Sequence, residues 1–152
     1  MDGTTLGMFM RHLTLDVEWG DLDFLVVDLP PGTGEAQKVL VSTLVITGAL
    51  LVVTPQELAH LDARKAIAMF RRMNVPIIGA VENMSWVACA SCGERIALFP
   101  AVAMERSIWN EVERLVSLPL IPALATVQSG AIADADADAT FDRLAARVSP
   151  TP

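Results

Sequence analysis

The sequence predicts an α/β fold in which helices cover both faces of a parallel sheet. Three short apolar runs, at residues 24–28, 49–54 and 75–82, alternate with segments whose apolar residues have helical spacing. Strands that alternate with helices are typical of βαβ units, and right-handed crossovers then place helices on both faces of the sheet. With 152 residues, the chain is predicted to form a single domain, residues 1–152, large enough to bury a core.

Composition argues against several classes of function. With 53% hydrophobic and 19% charged residues, the chain is typical of globular proteins rather than disordered ones. The net charge of -7 disfavours nucleic acid and anionic membranes as partners. No apolar run reaches the ~18 residues that a membrane-spanning helix needs. Two cysteines spaced C-x-x-C suit a reducing compartment, so we predict a cytoplasmic protein with no nucleic-acid and no membrane partner.

The first predicted element is an amphipathic helix over residues 4–18. Its apolar residues recur at helical spacing: Leu6, Phe9, Met10, Leu13 and Val17. The second element is a strand, because the four consecutive apolar residues Phe24 to Val27 are typical of a strand buried on both faces of a parallel sheet. This strand is expected to end at the carboxylate of Asp28.

The central elements are the most regular. We predict a helix over residues 35–46, a buried strand over 49–54, and a long helix from Pro55 to Met73. Four cations lie off the apolar stripe of the long helix, and we interpret them as a solvated face rather than a docking surface. They are Arg64, Lys65, Arg71 and Arg72.

The last third of the chain is predicted to hold a strand over 75–82, a helix over 103–116, a short strand over 118–121 and a helix over 141–148. Residues 133–139 alternate alanine and aspartate. This repeat lacks the glycine turn and the ligand spacing of a calcium loop, so we predict a solvated connector.

Asp28 and the residues after it predict a nucleotide site. A carboxylate at the carboxyl end of a parallel strand lies in the crevice where open α/β sheets bind ligands. There it can hold Mg²⁺ beside a nucleotide phosphate, and the glycines of the following Pro-Pro-Gly-Thr-Gly sequence let backbone N–H groups approach an anion. The alternative is an ordinary strand-to-helix connection with an aspartate cap, which the ordered proline–glycine sequence disfavours.

The cysteine pair, Cys89 and Cys92, allows three interpretations. Two thiolates are half of a four-sulfur tetrahedral site, which a second chain could complete across a twofold axis. A redox disulfide is the second interpretation, since C-x-x-C beside βαβ elements can act as in thioredoxin. Inert core thiols are the third. The position of the pair late in the domain favours a shared metal or cluster site.

Five motifs, in this order, resemble those of the Mrp/ApbC-type iron–sulfur cluster carriers, members of the MinD-like branch of deviant-Walker P-loop ATPases. The resemblance covers about residues 10–148 and is densest between 22 and 99. The motifs are Asp28-Leu29-Pro30-Pro31-Gly32-Thr33-Gly34, Thr54-Pro55-Gln56-Glu57, Leu61-Asp62-Ala63-Arg64-Lys65, Val81-Glu82-Asn83-Met84-Ser85, and Cys89-x-x-Cys92-Gly93-Glu94.

The resemblance implies a nucleotide site for ATP with Mg²⁺. Asp28 would be the Walker-B-like carboxylate that acts on Mg²⁺ through water, and it is the implied catalytic residue. Pro31 and Gly32 would form the switch segment that senses the γ-phosphate. Asn83 would contact the adenine edge, in a pocket lined by Ile121-Pro122.

The resemblance also implies a carrier function. Cys89 and Cys92 would bridge a [4Fe–4S] cluster between the two subunits of a homodimer. Such carriers assemble a cluster and transfer it to apo iron–sulfur proteins, and ATP binding or hydrolysis controls the transfer.

One part of the family pattern is missing. Members begin with a strand and the sequence G-K-G-G-V-G-K-[ST], whose amides and lysines hold the phosphates. The only lysines here, Lys38 and Lys65, follow no glycine-rich loop. We therefore expect a truncated carrier that lacks the first strand and phosphate loop and is ATPase-deficient alone, unless a separate chain supplies them. The alternatives are a nucleotide-independent dimeric module for an Fe–S cluster or zinc, and an inert remnant.

Overall fold

The computed structural model describes residues 3–29, 34–121 and 135–149. In chain order the elements are α1 (Gly3–Leu15), α2 (Glu35–Thr43), β1 (Ala49–Val53), α3 (Glu57–Arg72), β2 (Ile77–Glu82), β3 (Trp86–Ala88), β4 (Arg95–Ala97), β5 (Arg114–Ser117) and α4 (Ala135–Val148). Among the helices of these ranges, none has the length and apolar character required to cross a membrane.

The main sheet is parallel, with the strand order β1-β2-β5. Leu51 pairs with Ala80 between β1 and β2, and Val81 pairs with Val116 between β2 and β5. Helix α3 packs against β1 and β2, while α4 packs against β5. The strands β3 and β4 form a separate antiparallel hairpin. The predicted α/β class with a parallel sheet is confirmed.

The core lies between α3 and the sheet, because both present apolar side chains to each other. Ile67 of α3 is 1% exposed and Ala80 of β2 is 0% exposed. The loop between β4 and β5 adds Ile108, which is also 0% exposed. The remaining buried members of this cluster are Ala49, Leu51, Val53, Ala63, Phe70, Val75 and Val112. Burial of such apolar surface is the main favourable term in folding.

The strand predicted over Phe24–Asp28 is wrong. Residues 24–29 have irregular backbone, and the side chains of Phe24 and Val26 are 51% and 87% exposed. A parallel strand is stable only where neighbouring strands satisfy its backbone groups. In the described sheet β1 pairs with β2 alone, so no strand stands beside residues 24–28. The G-K-G-G-V-G-K sequence, which follows the first strand in the family that this chain resembles, is also missing from these 152 residues.

The helix predicted over 103–116 is also wrong. Residues 104–112 form turns, in which the carbonyl of Ile108 accepts hydrogen bonds from the N–H groups of Glu111 and Val112 at 2.9 and 3.0 Å. Ile108 and Val112 are both buried, so the helical spacing reflects core packing of a single turn. The following residues pair with β2 as β5, whereas a strand was expected at 118–121.

Two cations of α3 hold this turn segment in place. Glu111 accepts a hydrogen bond from Arg64 Nε at 3.0 Å and from Arg71 Nη1 at 2.9 Å. Arg64, and to a smaller extent Arg71, lowers the pKa of the Glu111 carboxyl. The prediction that all four cations of this helix form a solvated face is therefore wrong for Arg64, which is only partly exposed, while Arg71, Lys65 and Arg72 are exposed.

Helix α4 begins earlier than predicted. It starts at Ala135, so the connector predicted over 133–139 is wrong for residues 135–139, and residues 133–134 lie outside the described ranges. Alanine has the highest intrinsic helix propensity, and it occupies every second position of this sequence. The alternating alanine and aspartate sequence therefore starts a helix in place of a loop.

Candidate functional site

The two cysteines lie at the tip of the β3–β4 hairpin. In this hairpin Trp86 pairs with Ala97 and Ala88 with Arg95, so residues 89–94 form the connecting loop. The Cys89 N–H donates to the Glu94 carbonyl at 2.8 Å, and the Gly93 N–H donates to the Cys89 carbonyl at 2.8 Å. Gly93 has φ +72°, a left-handed conformation that glycine adopts without strain. The loop is therefore closed by its own backbone.

The loop leaves both thiols outside the core and favours the ionised form of the Cys89 thiol. Cys89 is half-buried, Cys92 is exposed, and both are free. The backbone N–H groups of Ser91 and Cys92 hydrogen-bond to the Cys89 sulfur and lower the pKa of its thiol, with a further contribution from the Cys92 side chain. Thiolates are the form that binds metals and attacks electrophiles. Because neither cysteine is in the core, the interpretation as inert core thiols is wrong.

The described part of one chain offers only two ligands here. Within residues 3–29, 34–121 and 135–149, no group of three or more His, Cys, Asp or Glu side chains is placed to hold a metal ion. Structural zinc sites and iron–sulfur clusters usually take four protein ligands. The hairpin can therefore supply half of such a site.

Two contacts fix the base of the hairpin. The guanidinium of Arg95 lies over the ring of Trp86, 4.4 Å from its centroid. The Leu120 N–H donates to the Trp86 carbonyl at 2.7 Å, which joins the hairpin to the segment after β5. The tip that carries the thiols is thus attached to ordered backbone on one side.

The turn from β2 into the hairpin contains Asn83. Its N–H donates to the Val53 carbonyl at 2.7 Å, so Asn83 lies where β1 and β2 end. Its side-chain oxygen accepts a hydrogen bond from the Met84 N–H at 3.0 Å. Met84 has φ +55°, so the chain bends sharply at this point. Asn83 is therefore at the carboxyl edge of the sheet, where the predicted nucleotide crevice would be.

The other predicted nucleotide residues do not join Asn83. Asp28 lies in the exposed irregular segment, and no hydrogen bond or ion pair links it to Asn83 in the described part of the chain. Pro31, Gly32 and Pro122 lie outside the described residues. The structure thus places the two cysteines in one loop. Of the predicted nucleotide residues that it describes, Asp28 and Asn83 do not share a pocket.

A polar cluster next to the start of the hairpin was not predicted from the sequence. Its centre is Glu82, the last residue of β2, whose Oε2 atom accepts hydrogen bonds from Arg114 at 3.0 Å and Ser117 at 3.1 Å. A carboxylate that ends an apolar strand is the same signal that identified Asp28. Its partners come from β5, which is distant in sequence, so the signal predicts the position and not the contacts.

His60 of α3 is buried in the same region. Its side chain is 1% exposed, and its Nδ1 atom accepts a hydrogen bond from the Ile108 N–H at 3.3 Å. The ring of Trp109 meets it edge-on, with centroids 5.3 Å apart. Burial lowers the pKa of His60, and the negative charge of Glu82 opposes this shift in part. His60 is therefore held in the neutral form.

This buried histidine predicts acid sensitivity. The unfolded chain protonates His60 near its ordinary pKa of 6.5, whereas the folded chain does so only at lower pH. The stabilisation is fully present above pH 6.5, and we expect the free energy of unfolding to fall as the pH decreases below that value. Urea titrations between pH 5 and pH 8 measure it.

The second histidine provides the control. His12 lies on the surface with a 73% exposed side chain, so His12→Asn is the matched exposed substitution, whereas His60→Asn should remove part of the acid dependence. An NMR titration of His60 in the wild-type chain gives an independent test. A His60 pKa at or above 6.5 in the folded chain would contradict the prediction.

Comparison with known families identifies the chain. Residues 1–148 match the model of the ParA family, described as NUBPL iron-transfer P-loop NTPase. The chain belongs to this family. The resemblance to Mrp/ApbC-type cluster carriers is thereby confirmed, and with it the α/β class of a P-loop fold.

The relatives that this NUBPL-type chain matches are named as iron–sulfur proteins. The "Iron-sulfur cluster carrier protein" of Pseudomonas fragi is 46% identical over 112 residues, which cover 73% of this chain and 39% of the relative. The protein of the same name in Aquifex aeolicus is 45% identical over 122 residues, covering 78% and 34%. The "Iron-sulfur protein required for NADH dehydrogenase, mitochondrial" of Arabidopsis thaliana is 43% identical over 112 residues, covering 73% and 36%. The chain thus spans between 34% and 39% of these three relatives.

A solved structure agrees with the family. The nucleotide-binding protein of Archaeoglobus fulgidus, solved in complex with ADP, superimposes with a TM-score of 0.68 at 35% sequence identity. The match covers 80% of this NUBPL-type chain and 51% of the solved one. The fold of a nucleotide-binding P-loop protein is therefore shared, over about half of the solved chain.

Proposed function

We propose that this chain is the cluster-binding part of an iron–sulfur carrier, and that Cys89 and Cys92 of two copies hold a [4Fe–4S] cluster between them. The observation that carries the proposal is the hairpin tip, which leaves Cys92 exposed and Cys89 half-buried and lowers the pKa of the Cys89 thiol. The cluster is cargo, and apo iron–sulfur proteins are its recipients. Family membership and the names of the relatives support this assignment.

Ligand counting supports the homodimer. The described part of each chain offers two thiols and no further metal-binding group beside them. A twofold axis through the hairpin tips would bring the same pair from the second chain and complete a four-thiolate site. The exposed position of Cys92 leaves room for such an approach. We also propose a cytoplasmic location, because free thiols of this kind persist in a reducing compartment.

The described residues do not fit ATP with Mg²⁺ by themselves. Asp28 is exposed in an irregular segment, and no glycine-rich phosphate loop occurs in the 152 residues. We propose that a strand and phosphate loop from another polypeptide segment complete the site beside β1. In the described sheet β1 pairs on one side alone, and the nearby side chain of Val52 is 64% exposed. With that segment in place, Asp28, Pro31, Gly32, Asn83 and Pro122 would bind the nucleotide.

A nucleotide-independent module for zinc is the second candidate. The hydrogen bonds from backbone N–H groups to the Cys89 sulfur suit a zinc thiolate as well as an iron one. Zinc requires no sulfide and gives no visible colour, so the two cargoes are separated by a simple measurement. Cys89 and Cys92 would be ligands in both cases.

Anaerobic reconstitution with iron and sulfide tests the proposal. We expect a brown protein with an absorption band of a [4Fe–4S] cluster, and a shift from monomer to dimer in size-exclusion chromatography with light scattering. A parallel sample receives Zn²⁺ in place of iron and sulfide. A colourless monomer after iron and sulfide, with a dimer only in the zinc sample, would favour the zinc module and overturn the cluster assignment.

A further inference from the structure

We infer that Glu82 is a positioning residue which fixes the direction of the cysteine hairpin relative to the sheet, and thereby allows two hairpins to meet across the dimer axis. The inference rests on the proposed function. Glu82 lies outside the loop that holds the thiols. We expect it to affect the association of two chains into a dimer and not the binding of metal by the thiols of one chain.

The carboxylate of Glu82 joins three parts of the fold. Its side chain is 12% exposed at the end of β2. On one side, Oε2 accepts hydrogen bonds from Arg114 and Ser117 of β5, at 3.0 and 3.1 Å. On the other side it lies 3.1 Å from the hydroxyl of Ser85, the last residue before the hairpin. One carboxylate oxygen thus connects the sheet to the start of the hairpin.

The connection is short and bent, and the Glu82 carboxylate adds a side-chain contact to the backbone hydrogen bonds that hold it. Residues 83–85 link β2 to β3, and Met84 in the middle has φ +55°. The single hydrogen of the Ser85 hydroxyl is shared between the Glu82 main-chain oxygen at 2.8 Å and the Glu82 carboxylate at 3.1 Å, and the Ser85 N–H donates to the Leu118 carbonyl at 2.9 Å. Loss of the carboxylate would remove the side-chain contact that links this turn to β5.

The partners of Glu82 are themselves fixed. The guanidinium of Arg114 lies over the ring of Trp109, 5.1 Å from its centroid. Trp109 meets the buried His60 edge-on. Glu82 is therefore attached to the packed core through Arg114, and hydrogen bonds between charged partners are roughly twice as strong as neutral ones. A mobile surface ion pair could not define a direction in this way.

The thiol loop does not depend on Glu82. Cys89 and Gly93 close the loop through their own backbone hydrogen bonds, and the donors to the Cys89 sulfur are Ser91 and Cys92. Loss of the carboxylate should therefore leave metal binding by a single hairpin intact. It should instead let the hairpin change direction, and two hairpins would then meet less often in the geometry that four thiolates require.

The variant Glu82→Gln tests this. It keeps the shape of the side chain and removes the negative charge. One carboxylate oxygen is replaced by an amide nitrogen, which donates hydrogen bonds but cannot accept them. In the reconstituted protein we expect the dimer dissociation constant, measured by anaerobic sedimentation velocity, to rise about tenfold or more, as loss of a charged hydrogen bond predicts. Co²⁺ bound to the thiols of the dilute chain should keep its sulfur-to-cobalt absorption.

Glu113→Gln is the matched control. Glu113 is 64% exposed and pairs with Arg147, so the same chemical change is made away from the hairpin, and the dimer should keep its dissociation constant. Arg114→Gln should weaken the dimer as Glu82→Gln does, and the double variant should be no worse than either single one. If Glu82→Gln does not fold by circular dichroism, Ser85→Ala replaces it under the same criteria.

The outcomes separate the two proposals. A wild-type chain that forms the brown dimer, with a Glu82→Gln dimer of equal dissociation constant, would overturn the role of Glu82 and leave the proposed function intact. Loss of the cobalt absorption in Glu82→Gln would overturn it too, since the residue would then act on the thiols. A wild-type chain that remains a colourless monomer would overturn the proposed function and this inference with it.

Discussion

Replacing Cys89 by serine is expected to abolish both the brown colour and the cluster-linked dimer of the reconstituted chain. The serine hydroxyl is nearly isosteric but does not ionise near neutral pH, and the thiolate is the ligand that iron–sulfur clusters require. Because each chain contributes two sulfurs, one substitution removes two of the four ligands of the shared site. Iron content, visible absorbance and mass by light scattering measure the loss.

Ala90→Ser is the matched control for this substitution. Ala90 lies between the two cysteines and is exposed, and it is not among the residues that hydrogen-bond to the Cys89 sulfur. We expect it to form the brown dimer as the wild-type chain does. A Cys89→Ser protein that still binds iron in stoichiometric amount and still dimerises would show that the cluster is held elsewhere.

The isolated chain is expected to bind ATP too weakly to detect at micromolar nucleotide, and to hydrolyse none. Backbone amides and lysines of a glycine-rich loop supply most of the interaction with the phosphates in P-loop proteins. The 152 residues contain no such loop, and Asp28 stands in an exposed segment. Isothermal titration calorimetry and a phosphate-release assay measure both quantities.

Complementation supplies the control for the nucleotide prediction. A second polypeptide that carries a strand and a glycine-rich, lysine-containing loop should restore ATP binding when it is added to the chain. In that complex Asp28→Ala should weaken Mg²⁺-dependent binding, whereas Asp23→Ala in the same exposed segment should not. Micromolar binding of ATP by the isolated chain would contradict the role assigned to the missing loop.

The elements that the sequence predicts best are those whose local pattern agrees with their neighbours in the fold. The runs at Ala49–Val53 and Ile77–Glu82 form adjacent parallel strands, and the stripe that contains Ile67 packs against them. In these segments the apolar pattern, the length and the flanking Pro55 all indicate the same structure. Secondary structure can be predicted from the local sequence where the local preference and the tertiary contacts agree in this way.

The wrong predictions concern elements that depend on tertiary contacts, which the local apolar pattern does not specify. Phe24 to Val27 is as apolar as β1, but a strand also requires a neighbour with which to exchange hydrogen bonds. The spacing of Ile108 and Val112 is helical because one buried turn presents both to the core, while the residues after them pair with β2. In both cases tertiary contacts override the local preference.

The candidate site divides in the same way. Cys89 and Cys92 are recognisable from their spacing, because the ligands lie within one loop of the chain. The contacts of Glu82 with Arg114, and of His60 with Ile108, join residues far apart in sequence, so the sequence alone contains no signal for them. Sequence reasoning therefore finds the thiols and misses the residues that support them.

Native mass spectrometry of the anaerobically reconstituted chain tests the central claim most directly, namely that one cluster is shared by the cysteine pairs of two chains. The expected mass is that of two chains with one [4Fe–4S] cluster, and it should convert to the mass of the single apo chain when the cluster is removed by chelation. Two results would contradict the claim: a single chain that carries a complete cluster, or a dimer that persists after the iron is removed.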